Sequence, residues 1–199
     1  GLLNTIFYKK DRFSRQRDGM FWLSDTPNRP SESWTSEEPR TVVWVQLRDK
    51  LSPGGKAQIF MTNTQIDDSK RKSAIESIKL LRDFINLTRD KMPVIVTGDF
   101  HYTDRSQAYS HLLSTPVNQV APEILDAYRE LYIEPAGHER TEHDFEGKTR
   151  GSRTDWILAS RYFRPIDATI DRTDFEDLYP SRHFPVTATL RYVKSRLED

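Results

Sequence analysis

Short apolar segments separated by polar turns make up most of the chain, and this pattern predicts β-strands. The segments Arg40–Leu47 and Ala57–Asn63 flank a turn sequence at Ser52–Gly55 and predict a hairpin. An uninterrupted apolar run at Val94–Thr97 is typical of a strand buried on both faces. Further strands are predicted at Ile6–Tyr8, Met20–Leu23, Thr154–Ala159, Ile166–Asp171 and Val186–Tyr192.

The apolar period changes to that of a helix between Ser69 and Asp90. Apolar side chains recur there at helical spacing, at Ile75, Ile78, Leu81 and Ile85, and lysine and arginine occupy the other face. A shorter helix is predicted over Ser106–Leu113. Strands outnumber helices in an α/β order and no repeat or linker divides the sequence, so we expect a single domain over residues 1–199.

The composition excludes several classes of protein. The 199 residues include 30 basic and 30 acidic side chains, so the net charge does not indicate a protein that binds nucleic acid mainly through phosphate neutralisation. The absence of cysteine excludes disulfides, thiolate metal sites and thiol nucleophiles, and leaves the compartment undetermined. No apolar stretch is long enough to predict a membrane span.

Polar residues stand where predicted strands end or begin, and such positions face a crevice in open α/β sheets. The segments are Asn63–Gln65, Gly98–His101, Arg153–Asp155 and Ser181–His183. Each has an ordinary structural alternative: Asp99 can cap a turn, Asp155 can form an ion pair, and His183 can be a packed histidine. Their order along the chain is therefore more informative than any one of them.

The chain contains, in this order, the segments IFYKKDRF, GMFWLSDTP, PRTVVWVQL, IFMTNTQ, PVIVTGDFH, TEHDFEG, RTDWIL and YPSRHFPVTATL. This series resembles the endonuclease/exonuclease/phosphatase superfamily, and its bacterial-type branch most. The resemblance implies an α/β fold, a four-layered sandwich of two mixed β-sheets flanked by helices. It also implies a phosphoesterase site that uses Mg²⁺ or Mn²⁺. The positions that match the family's catalytic residues are Asp99, His143, Asp155 and His183.

Three positions depart from the family pattern in ways that change their chemistry. Gln65 replaces a histidine that would contact phosphate, and His101 replaces an amide that would position it. Arg182 replaces a carboxylate near the metal, where its permanent positive charge would repel a cation or occupy the cation's place. The remaining phosphate-binding candidates are Asn63 and Arg182 itself.

The resemblance also implies a first strand, helix and second strand that carry a metal-binding asparagine and glutamate. Only Gly1–Thr5 precede the IFYKKDRF segment, so we expect the sandwich to lack this unit. Its loss would expose a sheet edge and apolar surface, and we expect another protein chain to cover them.

These departures predict a catalytically inactive pseudoenzyme that needs no cofactor and serves as a structural or interaction subunit of a larger assembly. One alternative is a metal-dependent phosphoesterase with a rearranged site, in which Arg182 holds phosphate. Its metal, Zn²⁺ or Mn²⁺, would be bound by Asp99, His101, His183 and Asp67. A second alternative is a module that binds phosphate or nucleotides without hydrolysing them.

Overall fold

The elements of the computed structural model follow an α/β order, and it describes residues 4–67, 69–89, 92–114, 124–176 and 178–193. A 3-10 turn at Pro53–Gly55 lies between the second and third strands. The strands and helices are β1 (Phe13–Trp22), β2 (Thr41–Asp49), β3 (Gln58–Gln65), α1 (Arg71–Arg89), β4 (Val94–Asp99), α2 (Gln107–Leu113), β5 (Ile124–Asp126), β6 (Asp155–Ser160), β7 (Phe163–Ile170) and β8 (Val186–Tyr192).

The first six strands form one mixed sheet in the order β1-β2-β3-β4-β6-β5, and β7 pairs with β8. Strands β3 and β4 are parallel because α1 connects them, and the other neighbouring strands are antiparallel. The predicted α/β fold with two sheets is confirmed. The second sheet consists of two antiparallel strands within the described ranges.

Helix α1 packs its apolar face against the six-stranded sheet, as its period predicts. The buried side chains on this face are Ala74, Ile78, Leu81 and Ile85. They share a core with Val42, Phe60, Val94, Val96 and Leu158 of the sheet. Burying a side chain of this size contributes about 1.5–3 kcal/mol, so this layer supplies much of the stability that holds the sheet in place.

Several predicted boundaries differ from the structure. Ile6–Tyr8 forms no strand, because the neighbouring backbone is held by side chains: Asn4 donates to the Thr41 carbonyl, and Asn63 donates to the Thr5 carbonyl. Strand β1 begins well before the predicted start at Met20, and the three-residue strand β5 was not predicted. The last residue of the predicted long helix, Asp90, lies outside the described residues.

Buried ion pairs anchor the long connection between β5 and β6. Arg153 donates to Asp126 at 2.6 Å, and both side chains are almost completely buried. Arg129 donates to Glu139 at 2.6 Å and also pairs with Asp104. Because Arg153 lies two residues before Asp155, this network fixes the backbone at the start of β6.

Candidate active site

The register of three adjacent strands places a glutamine and two aspartates in one row. Gln65 ends β3 and is paired with Asp99 at the end of β4, and Asp99 is paired with Asp155 at the start of β6. Register partners direct their side chains to the same face of a sheet. Residues that are far apart in the sequence therefore meet at one rim.

His183 joins this row through Asp155. Its Nδ1 donates to Oδ2 of Asp155 at 2.8 Å, and its Nε2 lies 3.9 Å from Oδ2 of Asp99. The hydrogen bond to Asp155 raises the pKa of His183 above its ordinary value. The bond also fixes the orientation of the ring, so that Nε2 is turned toward Asp99.

The Asp99 carboxylate lies at the centre of the site. Oδ2 accepts a hydrogen bond from Nε2 of Gln65 at 3.0 Å and lies 3.1 Å from Nε2 of His101, while Oδ1 accepts from the His101 backbone. Burial raises the pKa of Asp99, and the neighbouring Asp155 carboxylate raises it further. A positive charge placed between the two carboxylates would relieve this repulsion.

Arg40 determines the orientation of the Gln65 amide. Its Nη1 donates to Oε1 of Gln65 at 3.0 Å, so the amide nitrogen must face Asp99 and His101. The Arg40 side chain is largely buried. Sequence reasoning missed Arg40, because it precedes β2 and approaches the site only through the pairing of β2 with β3.

Arg182 lines the cleft and pairs with two carboxylates there. Its Nε donates to Asp144 at 2.9 Å, its Nη2 lies 3.4 Å from Oε1 of Glu142, and the side chain is 57% exposed. Two carboxylates at the rim therefore balance its charge. That the guanidinium could occupy the place of a cation stays a prediction.

His143 lies behind the site rather than in the cleft. Its side chain is 1% exposed, stacks on Phe184 at 3.8 Å between ring centroids, and packs edge-on against Tyr179. Burial lowers the pKa of His143. These contacts support the backbone around His183, so we describe His143 as a supporting residue and not as one that touches a ligand.

Two other candidates are also engaged in structural contacts. Asn63 accepts from Thr97 and donates to the Thr5 carbonyl, although it borders the cleft. Asp67 is buried and accepts hydrogen bonds from the hydroxyls of Ser36 and Ser69 at 2.8 and 2.7 Å. Asp67 does not line the cleft, so it is not placed to bind a metal with Asp99.

The row borders an open cleft of about 750 Å³ between the end of the main sheet and the loop that carries His183. Phe145, which sequence reasoning did not single out, is half exposed at its rim with a φ of 63°. Such backbone strain in a bulky residue is unusual outside functional loops.

A divalent cation is the cofactor that the fold family implies, and the donor atoms of the cleft fit one. Ligand atoms of Asp99, Asp155 and His183 all lie within 4.8 Å of one another. The set predicted from sequence had His101 in place of Asp155; Nε2 of His101 instead contacts Gln65 and Asp99. Carboxylate oxygens with an imidazole suit Mn²⁺ or Zn²⁺ better than Mg²⁺, which prefers oxygen ligands alone.

Several solved structures share the fold of this chain. A mannosyl-6-phosphatase of Bacteroides thetaiotaomicron is 27% identical with a TM-score of 0.77, and the match covers 93% of this chain and 69% of that one. An endonuclease/exonuclease/phosphatase family protein of the same species is 26% identical with a TM-score of 0.80, covering 94% and 68%. A family protein of Bacteroides vulgatus is 25% identical with a TM-score of 0.78, covering 94% and 69%.

The chain has the fold of the endonuclease/exonuclease/phosphatase superfamily, as the sequence segments implied. It spans a little over two thirds of the length of the structures that it matches. No family model matches the sequence, and no curated protein does. Within the described residues, no helix has the length and apolar character needed to cross a membrane.

Proposed function

We propose that this chain is a phosphoesterase domain that acts on phosphate esters with a divalent cation held by Asp99 and His183. The observation that carries the proposal is the 2.8 Å hydrogen bond from His183 to Asp155, which directs Nε2 of the imidazole into the cleft. A histidine that ligates a metal almost always donates its other ring N–H to a carboxylate or a similar acceptor. Asp155 has that orienting role.

The surrounding side chains supply what a phosphate ester needs. When bound, a divalent cation polarises the ester and activates water. Gln65 donates both amide N–H groups to Asp99 and His101, because Arg40 fixes the amide oxygen on the other side, and it thereby holds the Asp99 carboxylate in place. The similarity to a phosphatase at 27% identity supports the same reaction class.

Two carboxylates reduce the repulsion between Arg182 and a cation in this arrangement. Its guanidinium is paired with Asp144 and Glu142 and lies on the solvent side of the rim. From there the remaining N–H groups can contact an incoming phosphate, because arginine forms charge-assisted hydrogen bonds with phosphate oxygens. The rearranged phosphoesterase that the sequence offered as an alternative gives Arg182 the same role.

An assay on the purified chain tests the proposal. We expect hydrolysis of p-nitrophenyl phosphate, a monoester, or of its bis-substituted diester in Mn²⁺, and loss of this activity in EDTA. His183→Ala should lower the rate at least about 100-fold. His138→Ala is the matched control, because His138 is exposed and lies outside the cleft. Absence of turnover, or turnover that survives both EDTA and His183→Ala, would refute the proposal.

A second candidate function is the catalytically inactive interaction subunit, and the contacts of Asp99 favour it. Gln65 and His101 both contact its Oδ2, so a cation would have to compete with them. A partner protein would cover the concavity of about 420 Å³ beside β1 and β2, where Met20 is half exposed. The middle of the β1 edge is polar and charged, which disfavours pairing with a foreign strand, so the partner would use the sheet face.

The same assay separates the two candidates. A chain that is stabilised against heat by inorganic phosphate but shows no turnover in Mn²⁺ would be a binding module. A chain that shows neither effect would favour the interaction subunit.

A further inference from the structure

Glu142 lies directly opposite His183 in a short antiparallel bridge outside the two sheets. Phe184 N donates to the Thr141 carbonyl, and His143 N donates to the Arg182 carbonyl, both at 2.8 Å. These two bonds flank the Glu142–His183 pair, which makes it a non-hydrogen-bonded pair, the kind in which side chains approach most closely. The backbone itself therefore brings Glu142 to the cleft.

Side-chain alternation separates the two faces of this bridge. His143 and Phe184 stack on the buried face, and Glu142 and His183 occupy the face that borders the cleft. Position 142 is thus a cleft position. A carboxylate there changes the chemistry of the site.

Nε2 of His183 lies between two carboxylates. Oδ2 of Asp99 is 3.9 Å away, and Oε1 of Glu142 is 4.0 Å away. Both separations are too long for hydrogen bonds, so neither carboxylate is bonded to Nε2. Asp155 occupies the opposite nitrogen of the ring and leaves Nε2 available.

Position 182 lacks the negative charge that the family pattern gives it, and Glu142 supplies one nearby. Arg182 stands where a carboxylate is expected, and its shorter contact is with Asp144, at 2.9 Å, rather than with Glu142, at 3.4 Å. Glu142 is 37% exposed at its side chain, so it can turn toward His183 without being freed from a buried contact.

We propose that Glu142 supplies to the divalent cation the carboxylate that the family pattern places at position 182. The cation's ligands from this chain are then Asp99, Glu142 and His183, with Asp155 orienting the imidazole. This inference rests on the proposed function and specifies how the rearranged site holds its cation. Two carboxylates and one imidazole form a donor set suited to Mn²⁺.

Calorimetric titration of the metal-free chain with Mn²⁺ tests this assignment without any assay of activity. Glu142→Gln keeps the size of the side chain and should weaken Mn²⁺ binding at least tenfold. Glu146→Gln is the matched control, because Glu146 lies in the same loop, is exposed, and pairs with Lys148 outside the cleft. Its Mn²⁺ affinity should equal that of the wild type, and unchanged melting temperatures verify that both variants fold.

Arg182→Ala distinguishes a cation ligand from a mere partner of Arg182. Arg182→Ala alone should bind Mn²⁺ several-fold more tightly than the wild type. When Glu142→Gln is also present, removal of the guanidinium should increase the Mn²⁺ affinity less, because the effects of substitutions at two contacting residues are not additive. Equal Mn²⁺ affinity in Glu142→Gln and the wild type, or no Mn²⁺ binding by the wild type, overturns the inference. A different result would refute the proposed function: a wild type that binds Mn²⁺ but does not hydrolyse phosphate esters.

Discussion

Asp155 accepts a hydrogen bond from Nδ1 of His183 at 2.8 Å, and the two residues are 28 positions apart in the chain. This hydrogen bond connects the first residue of β6 to the loop before β8. The bond sets the direction in which the imidazole meets the cleft, and the proposed chemistry depends on that direction.

Asp155→Asn should lower the pKa of His183 in EDTA-treated protein, because the hydrogen bond to the carboxylate is the largest cause of its elevation. NMR titration of the imidazole resonances measures this. A raised folded-state pKa stabilises the protein fully below the unfolded value, near 6.5, and that stability is lost as the pH rises through the folded value. The variant should therefore lose more stability at pH 6 than at pH 9, and an unchanged His183 pKa would contradict this explanation.

Gly98→Ala should destabilise the fold by about 1–3 kcal/mol, because overpacking forces a backbone shift. A Cβ at this position would lie 2.4 Å from the Thr64 carbonyl oxygen on the adjacent strand, next to Asp99. Gly137→Ala is the control, since a Cβ there meets nothing within 4 Å. Urea unfolding of both variants measures the difference, and equal midpoints would refute the argument from close strand approach.

Glu139→Gln should reduce the free energy of unfolding by about 1.5–3 kcal/mol at pH 7, because it weakens the charged hydrogen bonds to Arg129 while Arg129 keeps its pair with Asp104. Burial alone would raise the pKa of Glu139, but the hydrogen bonds from Arg129 and the Ala136 backbone, together with the charges of Arg129 and Arg153, outweigh burial and lower the pKa. A lowered folded-state pKa stabilises the protein above the unfolded value of 4.5, and that stability is lost as the pH falls through the folded value.

The gap between this variant and the wild type should therefore narrow below pH 4.5. Urea unfolding across the acid range measures the gap. Glu130→Gln, at an exposed position nearby, should show little change at any pH. A gap that stays constant across that range would contradict the assigned cause.

Arg153→Met should destabilise the fold by about 3–5 kcal/mol, because it leaves the buried Asp126 carboxylate without its cation. Adding Asp126→Asn removes the uncompensated charge and should restore part of that loss. Thermal unfolding of the wild type, the single variant and the double variant measures both steps. A double variant less stable than Arg153→Met would show that charge compensation is not the cause.

Much of the fold could be predicted because it is encoded locally. The apolar period of α1 and the turn between β2 and β3 each lie within about twenty residues, and both elements formed as expected. Strand β5 escaped prediction because three residues carry too little periodicity.

The candidate site was predictable only in part, because its contacts cross the sequence. Family-like segments identified Asp99, Asp155 and His183; strand register brings the two aspartates together, and a hydrogen bond joins His183 to Asp155. The side chains of Glu142 and His143 lie on opposite faces of a bridge, and the other half of that bridge comes about forty residues later in the chain. The pairing of Arg182 with Asp144 depends on the same bridge.

The most direct test of the central claim is the initial rate of p-nitrophenyl phosphate or bis(p-nitrophenyl) phosphate hydrolysis in Mn²⁺ by the wild type and by His183→Ala from parallel preparations. The account predicts a metal-dependent rate in the wild type that falls at least about 100-fold in the variant. Equal rates in the two proteins, or no metal-dependent rate in the wild type, would contradict it.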